Sequence, residues 1–271
     1  MTSPPTPLER LHFVSNSPVE GLAVAERRVL DPDATVICVH GGLDRGGSFT
    51  RLVRRLETFD VVAYDRRGYQ GSRDVGPLDL AHHVDDLTAL VAHESKSAPV
   101  VVVGHSFGGV ITLSAAMRDA SPIRLIINYE SPMPWILDRQ DARNNLTTDA
   151  TLEAENFFKR MVSEDAWARL SEQERASRRL DGPALLSDLH ALRGNEALFD
   201  LGELKTPFTY VYGDNRDRLE HYRALSEGLV IINPSTTTIE MAHAPHAAHL
   251  MNPDQLAAII RQQWQLACAS L

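Results

Sequence analysis

The sequence predicts an α/β fold in which helices flank a mostly parallel sheet of about eight strands. Short apolar runs, typical of buried strands, alternate with longer amphipathic segments, as they do in repeated βα units. One gap of about 75 residues interrupts this series and is far too long for a simple connection. We therefore expect a single α/β core that carries a folded insertion.

The strand predictions follow from short runs of apolar and β-branched residues. An alternating stretch at 22–29 suits an antiparallel edge strand. The strands that follow it are predicted at 35–40, 61–64, 100–104, 125–129, 208–212 and 237–241. Continuous apolar character in most of these runs indicates strands that are buried on both faces, as in a parallel sheet.

The segments between the predicted strands have the apolar periodicity of helices. Leu80, Val84, Leu87 and Val91 share one helical face, and Pro253 is a start signal for a C-terminal helix. The long gap at 133–204 also has helical periodicity, and it predicts a helical cap. The core would then comprise 1–132 and 205–271. The alternative is that the insertion merely extends the core.

Composition restricts the partners. The chain has 271 residues, 43% hydrophobic content and a formal net charge of −9, without the basic stripe that nucleic acids or anionic membranes require. It contains two cysteines and no run of about 18 apolar residues, and its N-terminal segment lacks the features of a secretory signal. We expect a cytoplasmic protein that takes a small-molecule substrate, with no nucleic-acid or membrane partner. A homodimer is left open.

The pattern G-x-S-x-G lies between the valine-rich run at 100–104 and a helical stretch. In that context Ser106 would sit on a strained strand-to-helix turn with its Oγ pushed clear of the sheet. Gly104 and Gly108 would leave room for the closely passing backbones. Ser106 is therefore the predicted nucleophile.

With two further motifs, the chain resembles the α/β-hydrolase superfamily over nearly its whole length. The strand at 35–39 is followed by His40-Gly41-Gly42-Leu43, similar to the family's His-Gly oxyanion loop, and 65–72 is similar to its D-x-R-G-x-G-x-S turn. The resemblance implies the α/β-hydrolase fold. It also implies that the backbone N–H of Gly42 or Leu43, together with that of Phe107, stabilises an oxyanion.

Two side chains are candidate substrate contacts. His40 stands beside the expected oxyanion loop, although a histidine at a strand end more often orders a loop by hydrogen bonding. Trp135 is one of several large apolar residues of the cap that would provide apolar walls for a substrate. The alternative is that those side chains hold the cap to the core.

Three histidines follow the last predicted strand at a spacing of three, and one of them is the expected general base. The family places its base shortly before an Asn-Pro pair, and His246 fits that position in this sequence. Clustered imidazoles also suit a metal site, but His243, His246 and His249 have only Glu240 near them in sequence as a carboxylate ligand. We therefore predict neither a metal nor a cofactor.

The acidic partner of the base departs from the family pattern. The family's usual acid position, three residues beyond Gly213, is Arg216, and Asp214 and Asp217 flank it. Glu130, in a turn that continues with Ser131 and Pro132, is similar to the acid of family members that carry it after the preceding strand. Glu130 ranks slightly above Asp217, with Asp214 third, and the choice stays open.

These residues predict a serine hydrolase that cleaves a carboxylic ester of a small hydrophobic substrate through an acyl-serine intermediate. A serine nucleophile argues against the dehalogenase and epoxide-hydrolase branches of the family, whose nucleophile is a carboxylate. Thioesters, lactones, amides and carbon–carbon bonds beside ketones are other substrates handled by such folds. Two alternative functions are a cofactor-free perhydrolase or haloperoxidase and a non-catalytic ligand-binding protein.

Overall fold

The computed structural model describes residues 11–120, 122–137, 147–194, 196–214 and 218–269. Eight strands form one sheet in the order β1-β2-β4-β3-β5-β6-β7-β8. The strands are β1 (His12–Phe13), β2 (Val24–Arg27), β3 (Thr35–Val39), β4 (Asp60–Tyr64), β5 (Val100–His105), β6 (Ile123–Tyr129), β7 (Phe208–Gly213) and β8 (Thr237–Met241). The six strands from β4 to β8 in this order pair in parallel, whereas β1 and β2 are antiparallel.

The predicted mostly parallel sheet flanked by helices is confirmed, with one correction at its edge. The stretch at 22–29 contains β2, which pairs antiparallel with β4 as expected. It is not the edge strand, because the two-residue strand β1 pairs with its outer side. Two residues are too short to produce an alternating sequence pattern, so the sequence does not indicate β1.

Helices cover both faces of the sheet. The helices in the described residues are α1 (Thr50–Val53), α2 (Leu80–Glu94), α3 (Phe107–Arg118), α4 (Ala150–Met161), α5 (Glu164–Arg169), α6 (Glu172–Leu180), α7 (Gly182–Ala191), α8 (Leu219–Ile232), α9 (Ala248–Met251) and α10 (Pro253–Ala269). Ile37 and Val39 of β3 pack on the side of α2, α3 and α8, and Val36 and Cys38 pack on the side of α1 and α10. The alternation follows from the two-residue period of a strand.

The long gap between β6 and β7 contains helices α4 to α7, which we call the helical insertion. Its apolar residues form a separate small cluster with the loop after β3, through Leu43, Ala154 and Leu185. The predicted helical content of this segment is thus present. The domain boundaries and the role of the insertion as a cap stay predictions.

The parallel strands bring their carboxyl ends to one edge of the sheet, where ligands of open α/β sheets bind. The segments that follow β3, β5, β6 and β8 at this edge contain Leu43, Ser106, Glu130 and His246. No helix in the described part of the chain is both long and apolar enough to cross a membrane.

Candidate active site

Ser106 lies between β5 and α3 with a backbone conformation that side chains other than glycine rarely adopt, φ 52° and ψ −125°. The turn is tight because glycines remove the side chains that would obstruct it. A Cβ at Gly104 would lie 2.5 Å from the Cα of Gly109, and one at Gly108 would lie 2.1 Å from the carbonyl oxygen of Val39. This is the strained strand-to-helix geometry that presents a serine Oγ to a ligand.

Glu130 and His246 form a direct side-chain contact at the same edge of the sheet. The Nδ1 atom of His246 lies 2.5 Å from Oε2 of Glu130, which is buried, while the imidazole is partly exposed. The second carboxylate oxygen accepts a hydrogen bond of 3.0 Å from the backbone N–H of Gly213. A carboxylate only accepts, so Nδ1 of His246 carries the proton and Nε2 is left to accept one.

Side chains from neighbouring strands hold the loop that carries His246 by hydrogen bonding to its backbone carbonyls. Tyr129 donates its hydroxyl proton to the carbonyl oxygen of Pro245 at 2.8 Å, and Nε2 of His105 lies 2.9 Å from the carbonyl oxygen of His246. Gly213 allows this loop to approach closely, because a Cβ there would lie 1.9 Å from the carbonyl oxygen of Ala244. The position of the imidazole is therefore fixed by β5, β6 and β7 together.

The pKa directions suit an ionised acid beside a neutral base. Burial acts to raise the pKa of Glu130, but hydrogen bonds from His246 and Gly213 outweigh it and the net pKa is lowered. Burial lowers the pKa of His246, and the raising effect of Glu130 compensates for only part of that. At neutral pH the pair consists of a carboxylate and a neutral imidazole that can accept a proton.

The other two candidate acids are placed differently. Asp214 lies beside His243, whose Nδ1 is 3.8 Å from its Oδ2, and hydrogen bonds from the backbone of His243 lower the pKa of Asp214. Its contacts thus brace the loop after β8 rather than the imidazole of His246. Asp217 lies outside the described residues.

The expected oxyanion loop lies against the helical insertion. Leu43 is buried with a φ of 53°, and its carbonyl accepts a 3.0 Å hydrogen bond from Arg178 of α6. No acceptor among the described residues bonds to the backbone N–H of Gly42 or Leu43. Phe107 is the first residue of α3, so its N–H has no intrahelical acceptor.

Two cavities of about 180 Å³ and 130 Å³ meet at Ser106 and His246, which line both. Both have mostly apolar walls; the larger one is also lined by Glu130, and the smaller one runs along Leu43. Helices of the insertion contribute to both through Phe157 and Met161. The site can therefore hold a small ligand with one group on each side of the serine.

The two candidate substrate contacts lie away from these cavities. His40 is fully buried: its Nδ1 lies 2.7 Å from the carbonyl of Gly41, and its Nε2 accepts from the backbone N–H of Arg66 at 2.9 Å. These contacts are those of a residue that orders the loop, and His40 lines neither cavity. Trp135 is partly buried and packs edge-on against Phe199, with the ring centroids 5.3 Å apart, on the outside of one hydrophobic core.

Several polar residues of the site have no sequence signal that we recognised. Asp188 of α7 is buried and binds the guanidinium of Arg66 through both carboxylate oxygens, at 2.6 and 3.1 Å. Asp44 and His105 line the smaller cavity with His249. Their contacts join segments far apart in sequence, so no local spacing could have indicated them.

Comparison with known proteins places the chain in one family. A family model described as the alpha/beta hydrolase family matches residues 36–259. The lipase LipV of Mycobacterium tuberculosis is 31% identical over 134 residues, 43% of this chain and 51% of that protein. The monoacylglycerol lipase of Mycolicibacterium smegmatis is 30% identical over 95 residues, 32% of this chain and 34% of that protein.

Among solved structures, the epoxide hydrolase VrEH1 from Vigna radiata has a TM-score of 0.69 at 16% identity, covering 94% of this chain and 98% of its own. At that identity the similarity shows the fold alone. The match with each lipase spans about half or less of that lipase's length. The match with the solved structure spans nearly all of it.

Proposed function

The chain belongs to the alpha/beta hydrolase family, and from that premise we propose that it is a serine hydrolase that cleaves a small carboxylic ester. The observation that carries the proposal is the buried Glu130 carboxylate 2.5 Å from Nδ1 of His246, an imidazole that lines the same cavities as Ser106. The 30–31% identity to two proteins named as lipases supports the ester as the bond class.

In the proposed reaction, Oγ of Ser106 attacks the ester carbonyl carbon while Nε2 of His246 removes the hydroxyl proton. The carbonyl oxygen becomes an oxyanion that accepts hydrogen bonds from the N–H groups of Phe107 and of Gly42 or Leu43. When this tetrahedral intermediate collapses, the bond between the carbonyl carbon and the alcohol oxygen breaks. The alcohol leaves with the proton that His246 had taken, and the acyl group stays on Ser106. Water, deprotonated by the same imidazole, then releases the acid from the serine.

The site provides partners for the charges that develop in this cycle. Glu130 stabilises the imidazolium that forms at His246, and its lowered pKa keeps it ionised. The mostly apolar walls of the larger cavity suit an apolar acyl or alcohol group. The two cavities are about 180 and 130 Å³ and would each hold one substituent of the ester, so a short substituent on each side of the serine is expected.

The test is labelling with a fluorophosphonate probe, which reacts only with an activated serine, followed by peptide mapping. We expect the label on Ser106 and no labelling of Ser106→Ala. Ser114→Ala, the same substitution further along α3, is the matched control and should label as the parent does. A label on any other serine would refute the assignment.

The bond class is tested separately with p-nitrophenyl acetate, butyrate and octanoate. We expect the acetate and butyrate to have the highest kcat/KM, and Ser106→Ala to lose nearly all turnover. Labelled Ser106 without turnover of any of these esters would contradict the ester proposal while leaving the nucleophile assigned.

A further inference from the structure

The smaller cavity contains three metal-ligating side chains that the proposed reaction does not use. Asp44 comes from the loop after β3, His105 is the last residue of β5, and His249 belongs to α9. One ligand atom of each lies within 4.8 Å of the others. Both histidines are buried, and all three side chains line the cavity that ends at Ser106.

The hydrogen bond of His105 determines where its lone pair lies. Its Nε2 is 2.9 Å from the carbonyl oxygen of His246, and a carbonyl only accepts, so Nε2 carries the proton. In the neutral ring Nδ1 is then bare, and it faces Oδ2 of Asp44 at 3.6 Å. A lone pair that faces a carboxylate is unfavourable unless a cation, either a proton or a metal ion, lies between them.

The ligand atoms of the cluster form no well-directed hydrogen bond with the rest of the described protein. Oδ2 of Asp44, Nδ1 of His105 and both ring nitrogens of His249 are buried and have no hydrogen-bond partner among the described residues. Nε2 of His249 lies only 3.2 Å from Oδ2 of Asp44, within ion-pair range. Buried polar atoms in native proteins are normally paired, so three such groups that converge indicate a missing partner.

Two of the three separations in the cluster suit a metal ion, and the third is within 4.8 Å. Four ligands at about 2.1 Å around a tetrahedral zinc ion stand roughly 3.4 Å from one another. The separations of 3.2 and 3.6 Å around Oδ2 of Asp44 lie on either side of that value. The bond from His105 to a backbone carbonyl is also the usual outer contact that orients a metal-binding imidazole.

We propose that Asp44, His105 and His249 bind a divalent transition metal ion of the zinc type, with a fourth coordination position open to the cavity beside Ser106. Three protein ligands and one open position are the arrangement of catalytic zinc sites, whereas structural sites have four protein ligands. The ion would join three segments of the active site: the oxyanion loop, the serine turn and the helix after His246.

The experiment is calorimetric titration of the metal-stripped full-length protein with zinc chloride, together with its thermal unfolding. We expect one equivalent of zinc to bind and Tm to rise with zinc concentration, since a ligand that binds the native state stabilises it. Asp44→Asn and His249→Gln should each weaken zinc affinity at least tenfold, and magnesium chloride should not raise Tm.

Two matched histidine variants make the assignment specific. His243→Gln removes an imidazole that is 95% exposed in the same segment, and His246→Gln removes the proposed base. Both should bind zinc as the parent does. No zinc binding by the parent would show a proton-only cluster and overturn the proposal, as would binding lost in His246→Gln but kept in His249→Gln.

A spectroscopic measurement on the parent protein covers the case in which the variants fail to fold. Cobalt(II) replaces zinc in such sites, and a four-coordinate ion has strong visible d–d absorption. We expect one equivalent of cobalt to produce these bands and zinc to remove them. A cobalt spectrum of the weak six-coordinate type would overturn the proposed site.

Discussion

Glu130 illustrates how one residue reaches a partner two strands away in the sheet. It follows β6, whereas His246 follows β8, and the carboxylate passes over the end of β7 at Gly213. The N–H of Gly213 binds the passing carboxylate, and the absence of a side chain there leaves room for the carbonyl of Ala244 and the hydroxyl of Tyr129. The extra methylene of glutamate relative to aspartate provides the necessary reach.

Substitution of Glu130 by glutamine should reduce kcat for a p-nitrophenyl ester by roughly 10²–10⁴-fold, because an amide cannot stabilise the imidazolium. Asp214→Asn, which removes a carboxylate beside His243 instead, should keep near-parental turnover. Both variants are to be assayed for kcat and KM together. Near-normal kcat in Glu130→Gln would exclude Glu130 as the partner of the base.

The pH profile separates this role from a structural one. Turnover requires neutral His246, whose pKa is lowered by burial and raised by Glu130. Activity should therefore rise with pH through an acid limb below the ordinary imidazole value of 6.5. Because Glu130→Gln removes the raising effect, its limb should move to lower pH. A variant that was merely destabilised would lose activity without moving the limb.

At this scale the sequence indicates the residues that belong to motifs and misses those that depend on tertiary contacts. Ser106 and His246 lie at family positions, and the structure brings them to one cavity. The sequence alone does not distinguish Glu130 from Asp214 and Asp217, because it reveals neither the order of the strands in the sheet nor the reach of each side chain. Asp44 and His105 are separated by about 60 residues along the chain, and only the parallel pairing of β3 with β5 brings them together.

At the scale of elements, α7 is fixed to the core by a buried ion pair. Asp188 of α7 binds the guanidinium of Arg66 through both oxygens, and the Tyr69 hydroxyl donates to it at 2.6 Å. Arg66 is fully buried, and its guanidinium also donates to the carbonyl of Gly41 at 3.2 Å. The insertion and the loop before Gly42 are thus coupled through one side chain.

Asp188→Asn should lower the free energy of unfolding by about 3–5 kcal/mol, because it leaves the buried guanidinium of Arg66 without a counter-ion. Asp254→Asn is the matched control: Asp254 pairs with Arg55 at 2.9 Å but is 79% exposed, and its loss should change stability much less. Urea unfolding followed by tryptophan fluorescence measures both. Equal effects of the two substitutions would show that the insertion is not held by this pair.

The helices of the insertion are largely predictable from sequence, but this anchor is not. Leu185, Leu189 and Leu192 define an apolar face, and Asp188 lies on it three residues after the first of them. A buried aspartate is tolerated there only because Arg66, more than a hundred residues earlier in the chain, neutralises it. Helical periodicity contains no information about such a partner.

At the scale of the whole molecule, the sheet is the most predictable feature, since apolar runs define β3 to β7 to within two residues at each end. The physical reason is that strands buried on both faces must be apolar throughout. The same burial places several histidines in the interior. The pKa values of His40, His83, His246 and His249 are all lowered, with burial the largest cause in each case.

These histidines predict that stability decreases as pH falls below 6.5. A group whose folded pKa is lower than its unfolded value contributes stability that is complete above the unfolded pKa, near 6.5, and is lost as pH falls toward the folded pKa. For His40 the folded pKa is about 3, so its contribution declines over the whole interval from 6.5 to about 3. Each such imidazole adds up to about 1.4 kcal/mol per pH unit to the slope of unfolding free energy against pH.

The measurement is the free energy of unfolding in urea at pH 8, 7, 6 and 5. We expect little change between pH 8 and 7 and a steep decrease below 6.5. His40→Gln keeps a donor and an acceptor for Gly41 and Arg66 but removes the titration, so its slope below pH 6.5 should be shallower by about 1.4 kcal/mol per unit, whatever its absolute stability. His243→Gln, at an exposed position, should keep the parental slope. If His40→Gln and the parent have the same slope, His40 is not held neutral in the folded protein.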